Sequence, residues 1–110
     1  MQKIDLTSVQ NEIAKNATIL LYFYSDRCAP CVSLRPKVQE LISEDFTKMA
    51  ALFIDSEAHP EITAHYSVFA NPTLIVFFEG REFQRWSKFV AISQIAEAIE
   101  RPYNLIFDEE

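Results

Sequence analysis

Glycine is nearly missing from this chain: Gly80 is the only one among 110 residues, and five prolines supply most of the other turn signals. Few joints are free to swing, and no glycine- and serine-rich stretch reads as a flexible linker. Cysteine is almost as scarce, with only Cys28 and Cys31. One close pair is not the framework of bridges that braces small secreted domains. A cationic surplus is also lacking, since 10 Lys and Arg face 16 Asp and Glu for a formal charge of -6. This balance argues against nucleic acid and anionic membrane surfaces as partners, because both bind through excess positive charge. The longest apolar run, Ile19 to Tyr24 with Ala17 and Thr18 ahead of it, is far short of the roughly 20 residues that cross a bilayer. Met1-Gln2-Lys3-Ile4-Asp5 has no apolar stretch of the kind a secretory signal needs, so the expected location is cytoplasmic. There is no internal repeat and no low-complexity segment. What is present, 49% apolar and 13% aromatic residues, fills one core, so residues 1–110 are expected to form a single domain.

Hydrophobic spacing divides the chain into alternating helices and strands. Leu6, Val9 and Ile13 predict a helix over residues 6–15, with Thr7 and Gln10 as its capping box and Asn16 closing it. Ala17 to Tyr24 is apolar without alternation, the pattern of a central strand covered on both faces, which places the fold in the α/β class. Leu34, Val38, Leu41 and Ile42 then predict one helix from Cys28 to about Asp45, kinked at Pro36. Met49 to Ile54 reads as a second buried strand, and Pro60 as the first turn of a short helix with Ile62, His65 and Tyr66 on one face. This alternation favours parallel pairing. After Asn71-Pro72, Thr73 to Phe78 is a third buried strand, and Glu79-Gly80-Arg81 is a hairpin turn into an antiparallel strand over about Glu82 to Lys88. Phe83, Trp86 and Phe89 fall out of step there, so a bulge or an early end is expected. Ser93 is the expected cap of a last helix carrying Ile95, Ala96 and Ile99, with Pro102 ending it and Tyr103 to Phe107 left as an apolar tail before the final acidic residues.

The two thiols sit where the first strand hands over to a helix. Residues three apart in a helix have Cα atoms about 5 Å apart, inside the ~4.4–6.8 Å window that a disulfide requires. Cys31 is in register with Leu34 and Val38 and should face the core, whereas Cys28 lies at the helix mouth. Unpaired amides and the positive end of the helix dipole stabilise a thiolate there, below the free value of about 8.5. Cys28 is thus the expected attacking thiol and Cys31 the resolving one. Pro30 stiffens the first turn without removing an intrahelical bond, and Arg27 brings a cation beside the thiol. The competing readings are two buried free cysteines, or half of a zinc site completed by His59 and His65, which lie outside the usual ligand spacing. The histidines are expected to be surface or half-buried groups, Trp86 to be packing, and no metal is expected.

An apolar strand, Cys28-Ala29-Pro30-Cys31, Pro36 five residues further on, Tyr66, Pro72-Thr73 and Gly80 together resemble the thioredoxin family, from about residue 6 to residue 101. The resemblance implies a thioredoxin fold, with a central mixed sheet of four or five strands and helices on both faces. It implies a cis bond at Asn71-Pro72 beside the sulfurs, and a substrate groove formed by Arg27, Ala29, Pro30, Asn71, Pro72 and Thr73. It also implies a thiol-disulfide oxidoreductase that reduces protein disulfides, serving electron transport and cell redox homeostasis. On this resemblance no bound cofactor is expected beyond the Cys28–Cys31 couple, and the electrons are expected to come from a thioredoxin reductase.

The chain departs from the family at several positions. Tyr22 stands where relatives bury an aspartate, and Ala51 where they carry its lysine partner; Arg27 replaces a tryptophan, Ala29 a glycine, and Asn71 an isoleucine or valine. Without a buried base, Cys31 is expected to resolve mixed disulfides slowly or through water. Two alternatives remain open: a thioredoxin-fold adapter or holdase with dispensable cysteines, and an enzyme biased to disulfide oxidation or isomerisation. Only Gln2-Lys3-Ile4 stands where relatives have a first strand, so residues 103–107 are expected to cover apolar surface near a short sheet edge or to join a weak dimer, the alternative being a monomer.

Overall fold

The apolar run becomes the centre of the molecule in the computed structural model, which describes residues 4–107. Strand β1 (Thr18–Tyr24) pairs in parallel with β2 (Ala50–Asp55) on one side and antiparallel with β3 (Thr73–Phe78) on the other, and β4 (Arg81–Ser87) adds antiparallel to β3. The resulting four-stranded sheet has the order β2-β1-β3-β4. Pairing is mixed, so the parallel expectation holds only for β1 with β2. Gln2 and Lys3 lie outside the described residues, and Ile4 belongs to no strand.

Side-chain alternation explains why β1 reads as apolar throughout. Leu20 and Tyr22 point to one face, where they join Leu74 and Val76 under α2 (Ala29–Asp45) and α4 (Ile92–Phe107). Ile19, Leu21 and Phe23 point to the other, packing with Ile75 and Phe77 under α1 (Leu6–Lys15) and α3 (Pro60–His65). Each face is a complete core layer, and each fully buried aliphatic side chain contributes about 1.5–3 kcal/mol. Val38 and Leu41 are the buried stripe of α2, which runs through Pro36 as one helix. Trp86 is half-buried against the first core, as packing requires.

The hairpin follows its turn chemistry: Gly80 takes φ 81° between β3 and β4. Val76 pairs with Gln84 and Phe77 with Glu82, so Phe83 is the extra residue of a bulge. The Phe83 ring rests on Phe78 with centroids 5.2 Å apart.

Three helix boundaries differ from the expectation. Asp5, not Thr7, caps α1: its carboxylate accepts from the Ser8 N–H at 2.8 Å, and the Ser8 hydroxyl oxygen accepts from the Asp5 N–H at 3.0 Å. Ser93 lies inside α4, where the Gln94 side chain accepts from the Ala91 N–H at 2.9 Å instead. Pro102 does not end that helix, which continues to Phe107 and takes in the segment expected as a tail. A proline inside a helix costs about 3 kcal/mol. Here the following turn is anchored: Tyr103 is buried, its ring meets Phe46 at 4.9 Å and Phe107 at 4.7 Å, and its hydroxyl accepts from the Lys48 N–H at 2.9 Å. These contacts cover apolar surface just ahead of the edge strand β2.

Candidate redox site

The site forms at the end of the sheet where β1 stops. Ser25 accepts the Cys28 N–H on its carbonyl at 3.0 Å and the Arg27 N–H on its hydroxyl at 3.2 Å, which folds the loop back so that Cys28 becomes the N-cap of α2. Ala29 and Pro30 open the helix and are exposed. Cys28 and Cys31 form a disulfide with Cα atoms 5.2 Å apart. The Cys31 N–H donates to Cys28 Sγ at 3.1 Å, so a helix amide is aimed at the outer sulfur. Cys28 is half-buried, and Cys31 is 2% exposed. Arg27 is exposed and enters no ion pair among the described residues.

The second half of the site comes from a distant stretch. Phe23 pairs with Thr73, which brings the start of β3 beside the end of β1. Asn71-Pro72 is a cis peptide bond, with Pro72 and Thr73 buried and Asn71 half-buried. Ser56, at the end of β2, links the parts: its N–H donates to the Tyr24 carbonyl and its hydroxyl to Asn71 Oδ1, each at 2.8 Å. Lys88 donates its N–H to the Pro72 carbonyl at 2.8 Å, and the next residue, Phe89, is 89% exposed. Phe69 is 91% exposed ahead of Asn71. A groove of about 460 Å³ runs between Pro30, Ser33 and Leu34 on α2 and Lys88, Phe89 and Val90 after β4.

Beneath the sulfurs, Tyr22 is fully buried, and its hydroxyl donates to the Cys31 carbonyl at 2.8 Å. Burial pushes the phenol up to about 12, with the Arg35 guanidinium pulling weakly the other way. This residue is a hydrogen-bond donor at neutral pH, not a base. Arg35 itself lies over two aromatic rings, 4.9 Å from the centre of Tyr24 and 4.7 Å from that of Phe53. It shares a cavity of about 210 Å³ with Cys31, Tyr24, Asp26 and Gln39. Sequence reasoning missed Ser56 and Arg35. For Arg35 a signal existed in its spacing of one helical turn from Cys31; for Ser56 there was none.

The histidines stand apart. His59 faces Glu61 at 4.0 Å, and exposed His65 meets the Gln10 side chain at 3.5 Å. Among the described residues, no group of three or more His, Cys, Asp or Glu side chains is arranged to hold a metal ion.

Comparison with known proteins agrees with the site. The Thioredoxin family model matches residues 1–101. The thioredoxin-like protein YdfQ of Bacillus subtilis is 27% identical over 100 residues, covering 91% of this chain and 88% of the relative. A bifunctional thioredoxin reductase/thioredoxin of Mycobacterium leprae is 26% identical over 81 residues, which are 74% of this chain but 18% of that longer protein. Among solved structures, Fasciola hepatica thioredoxin superposes with a TM-score of 0.74 at 30% identity, covering 87% of this chain and 89% of that one. With a strand-to-helix cysteine pair, a four-stranded mixed sheet and this match, the chain belongs to the thioredoxin family and is a thiol-disulfide oxidoreductase.

Proposed function

We propose that the protein reduces disulfides of protein substrates through a mixed disulfide on Cys28 that Cys31 resolves. The observation that carries this reading is the asymmetry of the pair: Cys28 is half-buried, with its sulfur accepting from the Cys31 amide at 3.1 Å, while Cys31 is 2% exposed. An amide and a helix N-terminus aimed at one sulfur favour its thiolate, so in the reduced protein Cys28 is the better nucleophile. Its thiolate attacks a substrate disulfide, one substrate sulfur leaves as a thiolate, and Cys31 then displaces the other. Apolar Phe69 and Phe89, with the groove beside Pro30 and the Asn71-Pro72 segment, give an unfolded or extended substrate a surface to lie on.

The Mycobacterium leprae relative, named as a bifunctional thioredoxin reductase/thioredoxin, supports a thioredoxin reductase as the electron donor. The couple itself carries the electrons, without a bound cofactor, and a cytoplasmic setting suits such a reductant.

Replacing Cys31 by serine removes the resolving thiol. The Cys31→Ser protein is expected to accumulate stable mixed disulfides with substrate proteins through Cys28, visible as reductant-sensitive adducts, and Cys28→Ser to lose insulin-disulfide reduction. Adducts through neither residue, or full activity in Cys28→Ser, point instead to an adapter with dispensable cysteines.

A further inference from the structure

We infer that Arg35, one helical turn from Cys31, is a positioning residue for the redox step, its charge stabilising the Cys31 thiolate where no carboxylate among the described residues is buried to act as base. This rests on the proposed role of Cys31 as the resolving thiol.

Residues four apart on a helix share a face, with Cβ atoms about 5–6 Å apart. Cys31 and Arg35 line the same cavity, in keeping with that spacing. The guanidinium is not free to wander: it lies over the Tyr24 and Phe53 rings at 4.9 and 4.7 Å. No carboxylate forms an ion pair with Arg35 among the described residues. The same charge is felt at the Tyr22 phenol beneath Cys31.

Other groups face this region from each neighbouring element. On β1, Tyr22 donates to the Cys31 carbonyl and Tyr24 lines the cavity. At the end of β2, the Asp55 carboxylate accepts from the Glu57 and Ala58 N–H groups at 3.0 and 3.3 Å. In the loop, exposed Asp26 stands at the cavity and opposes a thiolate. On α2, Lys37 is exposed and lines the groove on the other side of the helix. Arg35 is the one cation lining the Cys31 cavity among the described residues.

The step balances without a protein base. In the mixed disulfide, the Cys31 thiol gives its proton to solvent water, and the thiolate attacks Cys28 Sγ. The Cys28–Cys31 bond forms as the bond from Cys28 to the substrate sulfur breaks. The bonding pair leaves on that sulfur, which takes a proton from water. The cysteine pair is oxidised by two electrons and the substrate reduced. A guanidinium takes no proton, being charged at every accessible pH, so its effect is on the thiolate population. At an effective dielectric of roughly 20–40, a unit charge about one helical turn away shifts an ionisation by on the order of one pH unit, or tenfold in thiolate.

The test is a 13Cβ NMR titration of Cys31 in the reduced full-length protein, comparing wild type with Arg35→Gln and Arg35→Lys. The expected result is a Cys31 midpoint raised by about one pH unit in Arg35→Gln and largely retained in Arg35→Lys, since the effect is one of charge. Arg35→Met, which keeps the aliphatic stem, carries the same comparison where Arg35→Gln does not fold. An unchanged midpoint in the neutral variants, or equal shifts in the lysine and neutral variants, overturns the inference. The titration reads Cys31 whether or not it resolves a substrate, so failure of the trapping experiment leaves this result standing.

Discussion

Tyr22→Phe removes one oxygen from the base of the redox site and tests the hydrogen bond that ties the motif helix to the central strand. The Tyr22 hydroxyl donates to the Cys31 carbonyl at 2.8 Å in a fully buried setting. Losing such a bond while leaving the carbonyl in place costs about 1–2 kcal/mol at neutral pH. For a domain of this size that is a fall of roughly 5–8 °C in Tm. The alkaline limb sharpens the test. Burial holds the phenol up to about 12 in the folded protein, against about 10 in an unfolded chain. Between these values the folded state keeps a proton that the unfolded state releases, so this part of the stability is intact below pH 10 and lost as pH rises towards about 12. Phenylalanine has no such proton. Two pH units of proton retention come to about 2.7 kcal/mol, more than the neutral-pH gap, so the gap between wild type and variant should close and then reverse towards the top of that window. Urea denaturation of the oxidised proteins, followed by Trp86 fluorescence from neutral pH into the alkaline window, measures both. Equal stability at neutral pH, or a gap that stays constant through the window, refutes the reasoning.

Two further substitutions probe the frame. Tyr103→Phe removes the hydroxyl that accepts from the Lys48 N–H at 2.9 Å; it should cost about 1 kcal/mol in urea denaturation, and truncation before Tyr103 should cost several-fold more, because the Phe46 and Phe107 contacts go with it. Glu82→Gln breaks the pair with Arg85, whose hydrogen bond holds the Glu82 carboxyl below the ordinary carboxylate range. A folded value below the unfolded one gives stability that is present above the ordinary carboxylate range and fades as pH falls through the folded value. For so exposed a pair the neutral-pH loss should stay below about 1 kcal/mol, and wild type and variant should converge in acid.

Much of the fold was legible because the deciding signals were local. β3 begins and ends where Pro72 and Gly80 place its limits, and the broken alternation around Phe83 marked the bulge. The cysteine pair announced its chemistry through its spacing and through its place ahead of an amphipathic helix. Caps were less readable. Asp5 with Ser8 and Thr7 with Gln10 are alternative starts for one helix, and only the placement of the first turn chooses between them. Pro102 obeyed no local rule, because the helix beyond it is held by Phe46 and Lys48, far away in the chain. The same limit applies at the site. Tyr22 was legible as a missing aspartate, but its hydroxyl partner was not, and the seat of Arg35 on Tyr24 and Phe53 exists only once β1 and β2 lie side by side.

The bond from Tyr22 to the Cys31 carbonyl also bears on how freely the site cycles. It grips the peptide backbone of the inner cysteine and leaves its sulfur untouched, while Ser25 grips the backbone of the outer one. Both anchors are indifferent to whether the sulfurs are joined. Opening and closing the couple can then proceed by side-chain rotation over a fixed floor, which keeps the reorganisation accompanying each electron-pair transfer small.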